Sequence, residues 1–189
     1  MTDADFNFLR LLLHQRSGLS LSPEKRYLAE SRLGILCRRR NIADIATLIQ
    51  KLRPGNDAAL EHAVIEAMTT NETLFFRDHT PFDLFRDVIL PERLAANAAT
   101  RSLRIWCAAV STGQEAYSLA MILDEMGPRL SGWKIQIVGT DISGEVLERA
   151  RAGLYSQFEI QRGLPIQMLL KHFSQEGDRW RISERLRAM

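Results

Sequence analysis

The sequence has few of the features that mark a secreted, membrane-spanning or metal-bound protein. Its two cysteines, Cys37 and Cys107, lie far apart, with no CxxC pair or histidine cluster beside them. Neither a disulfide framework nor a metal site is therefore predicted. Acids precede the first apolar run, unlike the basic start of a secretory signal, and charges interrupt every run before the roughly 18 residues of a membrane span. We expect a soluble, cytoplasmic protein with no membrane insertion.

The sequence also lacks a strong charge imbalance and a dinucleotide-binding fingerprint. A net charge of +2, with no stacking aromatics among the basic residues, argues against nucleic-acid binding. The missing GxGxxG disfavours an ordinary NAD-type enzyme. Residues 25–53 are nevertheless basic, with eight Lys or Arg against two acids. That segment is either a solvated helix face or a surface that attracts an acidic partner.

Four stretches of the first 68 residues have the spacing of amphipathic helices. They are the run after Phe6, the segment from Ser22 to about Arg40, residues 44–52 and residues 56–68. Ser22-Pro23-Glu24 is typical of a helix start, and Gly18 of a helix end. Residues 1–68 are therefore predicted to form an all-α helical bundle.

A different pattern begins after Thr70. A helix containing Phe82 and Phe85 is predicted to lead up to Pro91, and residues 103–109 then read as a strand. A small, polar turn and a helix follow, and residues 135–141 repeat the scheme. Alternating strands and helices predict a parallel α/β sheet over residues 69–189.

The ends of the two predicted strands are where a ligand is expected, because ligands of open parallel sheets bind beyond the strands' carboxyl ends. The first strand runs into small residues, Ser111-Thr-Gly113, and the second ends at Asp141, 28 positions after that glycine. An acid in this place commonly binds the ribose of an adenosine cofactor. The glycine turn by itself is weak evidence for a cofactor, because it lacks the full GxGxxG fingerprint and is more often an ordinary strand-to-helix connection.

Read together, three segments carry a resemblance to a known family. They are Thr70-Asn-Glu-Thr-Leu-Phe-Phe-Arg77, Ser111-Thr-Gly-Gln-Glu-Ala-Tyr-Ser118 and Gly139-Thr-Asp-Ile-Ser143. In order, spacing and residue type they resemble the CheR-type chemotaxis receptor methyltransferases, which methylate protein glutamates. Gln114 departs from the second glutamate that many members carry. The resemblance implies a Rossmann-like methyltransferase domain that uses S-adenosyl-L-methionine and releases S-adenosyl-L-homocysteine.

The resemblance also implies five site residues. Asn71, Thr73 and Arg77 would face the cofactor, Glu115 would contact its polar end, and Asp141 would hold its ribose. Arg77 is the predicted catalytic residue, because a guanidinium can orient the substrate carboxylate. Four of them have an alternative explanation: Asn71 and Thr73 could cap the next helix, Arg77 could be a solvated charge, and Glu115 could favour a helix N-terminus.

The implied partners are the acidic, glutamate-bearing cytoplasmic helices of chemotaxis receptors, which a basic N-terminal bundle would attract. Members of this family have a sheet of about seven strands, whose later strands bring Asn-Leu and Asn-Val pairs that are absent here. We therefore expect a catalytic domain that is incomplete at its C-terminal end, with little activity. The alternative is a non-catalytic module that binds receptor or regulator.

Overall fold

The structure, a computed structural model, describes residues 1–189, and the chain divides into two units, Met1–Thr70 and Asn71–Met189. The first unit is helical. Its α-helices are α1 (Asp3–Ser17), α2 (Arg26–Arg40), α3 (Ile45–Leu52) and α4 (Ala58–Met68), with a 3-10 turn at Pro23–Lys25 before α2. Nowhere in the chain is there a helix both long enough and apolar enough to cross a membrane.

Side chains at the helix ends define the helices of the first unit. Thr2 and Asp5 form a capping box at the start of α1, and Asp44 and Asp57 accept the backbone N–H groups of Thr47 and Leu60. These caps satisfy donors that a helix N-terminus otherwise leaves unpaired. Leucines from several helices are fully buried between them, including Leu9, Leu13, Leu33 and Leu48.

The second unit begins with an irregular segment and then a helix that passes through Pro91. This helix runs as α5 (Thr80–Leu84), a π-helical turn (Phe85–Ile89) and α6 (Leu90–Ala96). The prediction that it would stop at the proline is wrong. Proline has no N–H for the helical ladder and its ring crowds the preceding turn; the wider π turn, in which the Leu90 N–H bonds to the Phe85 carbonyl, accommodates this defect.

Two strand–turn–helix units follow, as predicted. They consist of β1 (Ser102–Ala108) with α7 (Gln114–Glu125), and β2 (Lys134–Thr140) with α8 (Gly144–Ala152). The strands pair in parallel from Ser102 opposite Lys134 to Ala108 opposite Thr140. Both carboxyl ends therefore lie at the same edge of the sheet, which confirms the predicted α/β class.

The remaining residues form a three-stranded antiparallel sheet in the order β3-β5-β4. It contains β3 (Leu154–Ser156), β4 (Phe173–Glu176) and β5 (Arg179–Ile182), with helices α9 (Gln157–Gln161), α10 (Ile166–His172) and α11 (Glu184–Arg187). Of these three strands, only β5 is marked in the sequence, where Gly177-Asp-Arg-Trp-Arg-Ile182 is typical of a turn that enters a short strand. The sheet contributes Tyr155 and Phe173 to the core, where both rings contact Phe75 edge to face at centroid distances of 5.0 and 5.7 Å.

Candidate functional site

Asp141 joins the two loops that leave the parallel sheet. One carboxylate oxygen accepts the backbone N–H of Ser111, after β1, at 2.8 Å, and the other accepts the N–H of Ser143, before α8, at 2.9 Å. Ser143 occupies the N-cap position of α8, but its side chain makes no capping hydrogen bond. A carboxylate has about four lone-pair sites, so Asp141 retains acceptor capacity beyond these two bonds.

The loop after β1 follows an unusual backbone path. Ala109, Ser111 and Gly113 have φ values of 60°, 52° and 95°, in the left-handed region. Two observations require glycine at position 113. Its φ is in the left-handed region, and a Cβ there would lie 3.0 Å from the Cβ of Ala150. Such conformations are typical of places where tertiary contacts hold the backbone in a strained shape, and they are frequent at binding sites.

A second strained segment, residues 71–79, lies beside this loop. The Ser111 hydroxyl donates to the main-chain carbonyl of Asn71 at 2.8 Å. Further along, the Phe75 side chain is fully buried and the Phe76 N–H donates to Ser118 Oγ at 3.0 Å. Because the segment has neither helical nor strand hydrogen bonds, its position depends on tertiary contacts such as these.

The two segments enclose a cleft of about 340 Å³. Its lining includes Thr73, Arg77, Ser111 and Glu115. The Arg77 side chain is 52% exposed, donates to the Glu72 carbonyl at 3.1 Å and has its Nε 3.9 Å from Asp78 Oδ2. The guanidinium therefore keeps donors free to bind a carboxylate that enters the cleft.

Glu115 lies in the first turn of α7 and is exposed to the cleft. Burial, together with the negative charge of Glu115 and a hydrogen bond to it, raises the pKa of the Cys107 thiol to about 12. That thiol is therefore protonated at neutral pH. Cys107 is a buried free cysteine.

The five residues predicted from the sequence lie in one region, but only three of them line the cleft. Thr73, Arg77 and Glu115 line the cleft, whereas Asn71 and Asp141 reach it through hydrogen bonds to Ser111. The alternative that Asn71 and Thr73 cap the next helix is wrong, because α5 begins at Thr80 after His79 and has no side-chain cap.

Ser111 itself was not singled out from the sequence, although it belongs to the Ser-Thr-Gly turn. A serine in such a turn has no distinguishing spacing, and only the fold brings Asn71 and Asp141 to its two sides. Tyr117 lies elsewhere: its hydroxyl donates to the Ala150 carbonyl at 2.7 Å, and its ring lines a second cavity of about 350 Å³.

Asp124, Glu125 and His172 bring potential metal-ligand atoms within 4.8 Å of one another. Two cations already neutralise the carboxylates, with Lys171 Nζ 2.6 Å from Glu125 and Arg185 Nη2 2.6 Å from Asp124. The Arg185 contact is an ion pair without hydrogen-bond geometry, since Asp124 Oδ1 has no hydrogen-bond partner. We interpret the cluster as an ion-pair network.

Comparison with known proteins gives two family matches that together span almost the whole chain. Residues 4–69 match the CheR methyltransferase all-alpha domain, and residues 71–189 match the CheR methyltransferase SAM binding domain. The second match includes the cleft and all five predicted site residues, so S-adenosyl-L-methionine is the cofactor of this domain.

Relatives agree with these matches. Chemotaxis protein methyltransferase 1 of Pseudomonas aeruginosa is 40% identical over 98% of this chain and 69% of its own length. A chemotaxis protein methyltransferase of Pseudomonas putida is 38% identical over 97% of the chain and 68% of its own length. The Escherichia coli chemotaxis protein methyltransferase is 34% identical over 92% of the chain and 57% of its own length. This chain belongs to the CheR methyltransferase family.

Proposed function

We propose that the chain transfers a methyl group from S-adenosyl-L-methionine to glutamate side chains of chemotaxis receptors. The observation that supports this most directly is the arrangement around Ser111. One serine contacts both Asp141 at the end of β2 and Asn71 at the start of the segment that carries Thr73 and Arg77. Segments that are distant in sequence thus form a single cleft beyond the carboxyl ends of the parallel strands, where cofactors of such sheets bind.

The residues present fit the cofactor. The lone pairs that Asp141 retains suit the two ribose hydroxyls, while Asn71 and Thr73 would face the adenosyl and methionyl groups. Glu115 would bind the amino group at the polar end, since a carboxylate is the natural partner of an ammonium. The cleft lining contains three acidic residues, Glu72, Asp78 and Glu115, and a single basic residue, Arg77. Their excess negative charge favours a cationic ligand.

When bound, the cofactor supplies a methyl group on a positively charged sulfur. The substrate carboxylate has an ordinary pKa of about 4.3, so it is ionised at neutral pH and requires no general base. We propose that Arg77 orients that carboxylate in line with the methyl carbon. Alignment of this kind can lower a barrier by roughly 7–11 kcal/mol. The half-exposed Arg77 side chain can reach toward solvent, where a protein substrate would approach.

The basic segment 25–53 serves two purposes in this proposal. Some of its arginines act within the helical unit. Arg26 pairs with Asp3 and Arg53 with Asp5, and Arg32 donates to the Met68 and Thr69 carbonyls at the C-terminal end of α4. The run Arg38–Arg40 at the end of α2 is exposed. We propose that this end of α2 attracts the acidic receptor helices, an effect that added salt would weaken.

Binding of S-adenosyl-L-homocysteine, measured by titration calorimetry, is the first test. We expect the wild-type chain to bind it and Asp141→Ala to lose binding. Asp178→Ala, which removes an exposed carboxylate of the same unit, is the matched control and should bind normally. An absence of binding by the wild-type chain, with receptor still captured, would favour the non-catalytic module.

Transfer of a radiolabelled methyl group to receptor is the second test. Methyl esters of glutamate hydrolyse in alkali, so label on the receptor should be released as methanol. Label that resists alkali would contradict a glutamate substrate. We expect Arg77→Ala to reduce transfer far more than it reduces binding of S-adenosyl-L-homocysteine.

A further inference from the structure

We infer that Ser111 is a positioning residue for cofactor binding, acting through its hydroxyl on the segment that begins at Asn71. The inference rests on the proposed function, because it concerns the same cleft. Ser111 is 6% exposed, its N–H donates to Asp141 Oδ2 at 2.8 Å, and its hydroxyl donates to the Asn71 carbonyl at 2.8 Å. Ser111 thus contacts both Asp141, the proposed ribose-binding acid, and the segment that begins at Asn71.

The backbone at Ser111 makes the identity of its side chain informative. A φ of 52° is strained for serine, and glycine adopts such a φ freely. The N–H bond to Asp141 needs no side chain at all. What serine adds over glycine is therefore the hydroxyl and its bond to Asn71.

That bond controls a defined part of the cleft. Phe75 is fixed by burial and Phe76 by its hydrogen bond to Ser118. The stretch before them is held at Asn71 by the Ser111 hydroxyl. At Glu72 it is held by two arginines, since the carbonyl accepts from Arg77 at 3.1 Å and the carboxylate lies 3.5 Å from Arg162. Loss of the hydroxyl should loosen this stretch at Asn71, which we propose contacts the cofactor, but leave Glu72 held by its arginines and Arg77 in place beyond Phe76. The expected result is weaker cofactor binding with little change in turnover at saturating cofactor.

Ser111→Ala and Ser111→Gly test this inference together. Both remove the hydroxyl and keep the N–H bond to Asp141, but glycine relieves the backbone strain and alanine does not. We expect each to weaken S-adenosyl-L-homocysteine binding by about 10-fold, the size of effect that loss of one partly buried hydrogen bond can have. The glycine variant should melt at a higher temperature than the alanine variant. Where transfer is measured, the KM for the cofactor should rise by a similar factor while kcat changes less than about 2-fold.

Thr112→Val is the matched control. Thr112 is the next residue and is equally buried, but its hydroxyl donates to the Gln114 side chain and contacts neither Asn71 nor Asp141. We expect this variant to lose thermal stability and to keep wild-type affinity. Asn71→Ala separates the role of the Asn71 side chain from that of its carbonyl. The Ser111 hydroxyl donates to the main-chain carbonyl of Asn71, which this substitution leaves intact.

Hydrogen exchange provides a readout that a merely structural role would not change. Saturating S-adenosyl-L-homocysteine should slow exchange of residues 71–73 in the wild-type chain and fail to do so in Ser111→Ala. Wild-type affinity in both Ser111 variants would overturn the inference. So would an equal loss of affinity in Thr112→Val. If the wild-type chain did not bind S-adenosyl-L-homocysteine, the proposed function would fail first, and the two failures are thereby distinguished.

Discussion

The helical unit and the cleft-bearing unit differ in where their backbones are strained. In residues 1–70 the only non-glycine residue with positive φ is Asn41, at the C-terminal cap of α2, where a left-handed residue is ordinary. Residues 71–189 contain six, and five of them fall in the stretches 76–79 and 109–111. The helices of the first unit are thus determined by local sequence, whereas the cleft depends on contacts between distant segments.

The contact that we expect to matter most to the second unit is the close approach of Gly163 to Phe75. A Cβ on Gly163 would lie only 2.1 Å from the Phe75 carbonyl oxygen, and its φ is 86°. Gly163→Ala should therefore lower the free energy of unfolding by about 3 kcal/mol or more. The left-handed backbone of an alanine costs about 1–2 kcal/mol, and its Cβ would also displace Phe75. Tryptophan fluorescence during urea unfolding measures this, because all three tryptophans lie in residues 71–189.

Gly177→Ala is the control for that experiment. Gly177 has a φ of 62° and nothing within 4 Å of its would-be Cβ, so the substitution adds strain alone and should cost about 1 kcal/mol. Equal losses in the two variants would contradict the view that the position of Phe75 depends on the missing side chain of Gly163.

A smaller loss is expected at Ser118, which holds the other end of the strained segment. Its hydroxyl accepts the Phe76 N–H and is fully buried. Ser118→Ala would leave that donor unpaired, at a cost of about 1–3 kcal/mol. Tryptophan fluorescence again reports the unfolding.

The helical unit offers a matched serine. The Ser118 hydroxyl donates to the Gln114 carbonyl, four residues earlier, at 2.7 Å. Ser17 likewise donates to the carbonyl four residues earlier, Leu13, but accepts only a long 3.4 Å bond from the Leu19 N–H. Ser17→Ala should change stability by less than about 0.5 kcal/mol, as surface substitutions usually do, measured by circular dichroism. A loss at Ser17 as large as that at Ser118 would remove the distinction drawn between the two units.

These contrasts explain which features could be predicted from the sequence. The helices of the first unit and both strand–turn–helix units follow from apolar periodicity and end signals, which are local. Strand β3 has only three residues and pairs with β5, which lies more than 20 positions away in sequence, so no local pattern marks it. Strand β4 pairs with β5 through the two-residue turn Gly177-Asp178, but Phe173 is its only apolar residue and no alternation is visible. Likewise Asp141 was predictable as a strand-end acid, whereas the role of Ser111 depends on a contact 40 residues away.

Relief of strain should produce a modest gain in stability. Ala109 has a φ of 60°, and its left-handed penalty of about 1–2 kcal/mol exceeds the extra chain entropy of glycine, about 0.5–1 kcal/mol. Ala109→Gly should therefore stabilise the second unit by roughly 0.5 kcal/mol, a change that replicate urea titrations can resolve.

Asn41→Gly is the counterpart in the helical unit and should be close to neutral. Asparagine tolerates the left-handed region better than alanine does, so little strain is present to be relieved. Destabilisation by Ala109→Gly would indicate that the loop after β1 relies on its side chains more than on its backbone path.

The smallest effect concerns pH and compares two carboxylates. Hydrogen bonds from the Thr47 N–H and side chain lower the pKa of Asp44, which caps α3 within its own turn. In the second unit, hydrogen bonds from Lys171 and then His172 lower the pKa of Glu125 from 4.5, despite the opposing effect of partial burial. A lowered carboxyl pKa means that the folded state binds fewer protons than the unfolded state. The stabilisation is present above about pH 4.5 and is lost as pH falls through the lowered pKa.

Glu125→Gln should therefore reduce the difference between the melting temperatures of the second unit at neutral pH and at about pH 3.5, followed by tryptophan fluorescence. The shift should be small because the Glu125 side chain is 41% exposed and solvent screens its ion pair. Glutamine can still accept a hydrogen bond from Lys171, so the neutral-pH structure should persist. Asp44→Asn should leave this fluorescence transition unaltered, since Asp44 lies in the other unit. An unchanged pH dependence in Glu125→Gln would mean that the contact between α7 and α10 is held by its buried His172 rather than by charge.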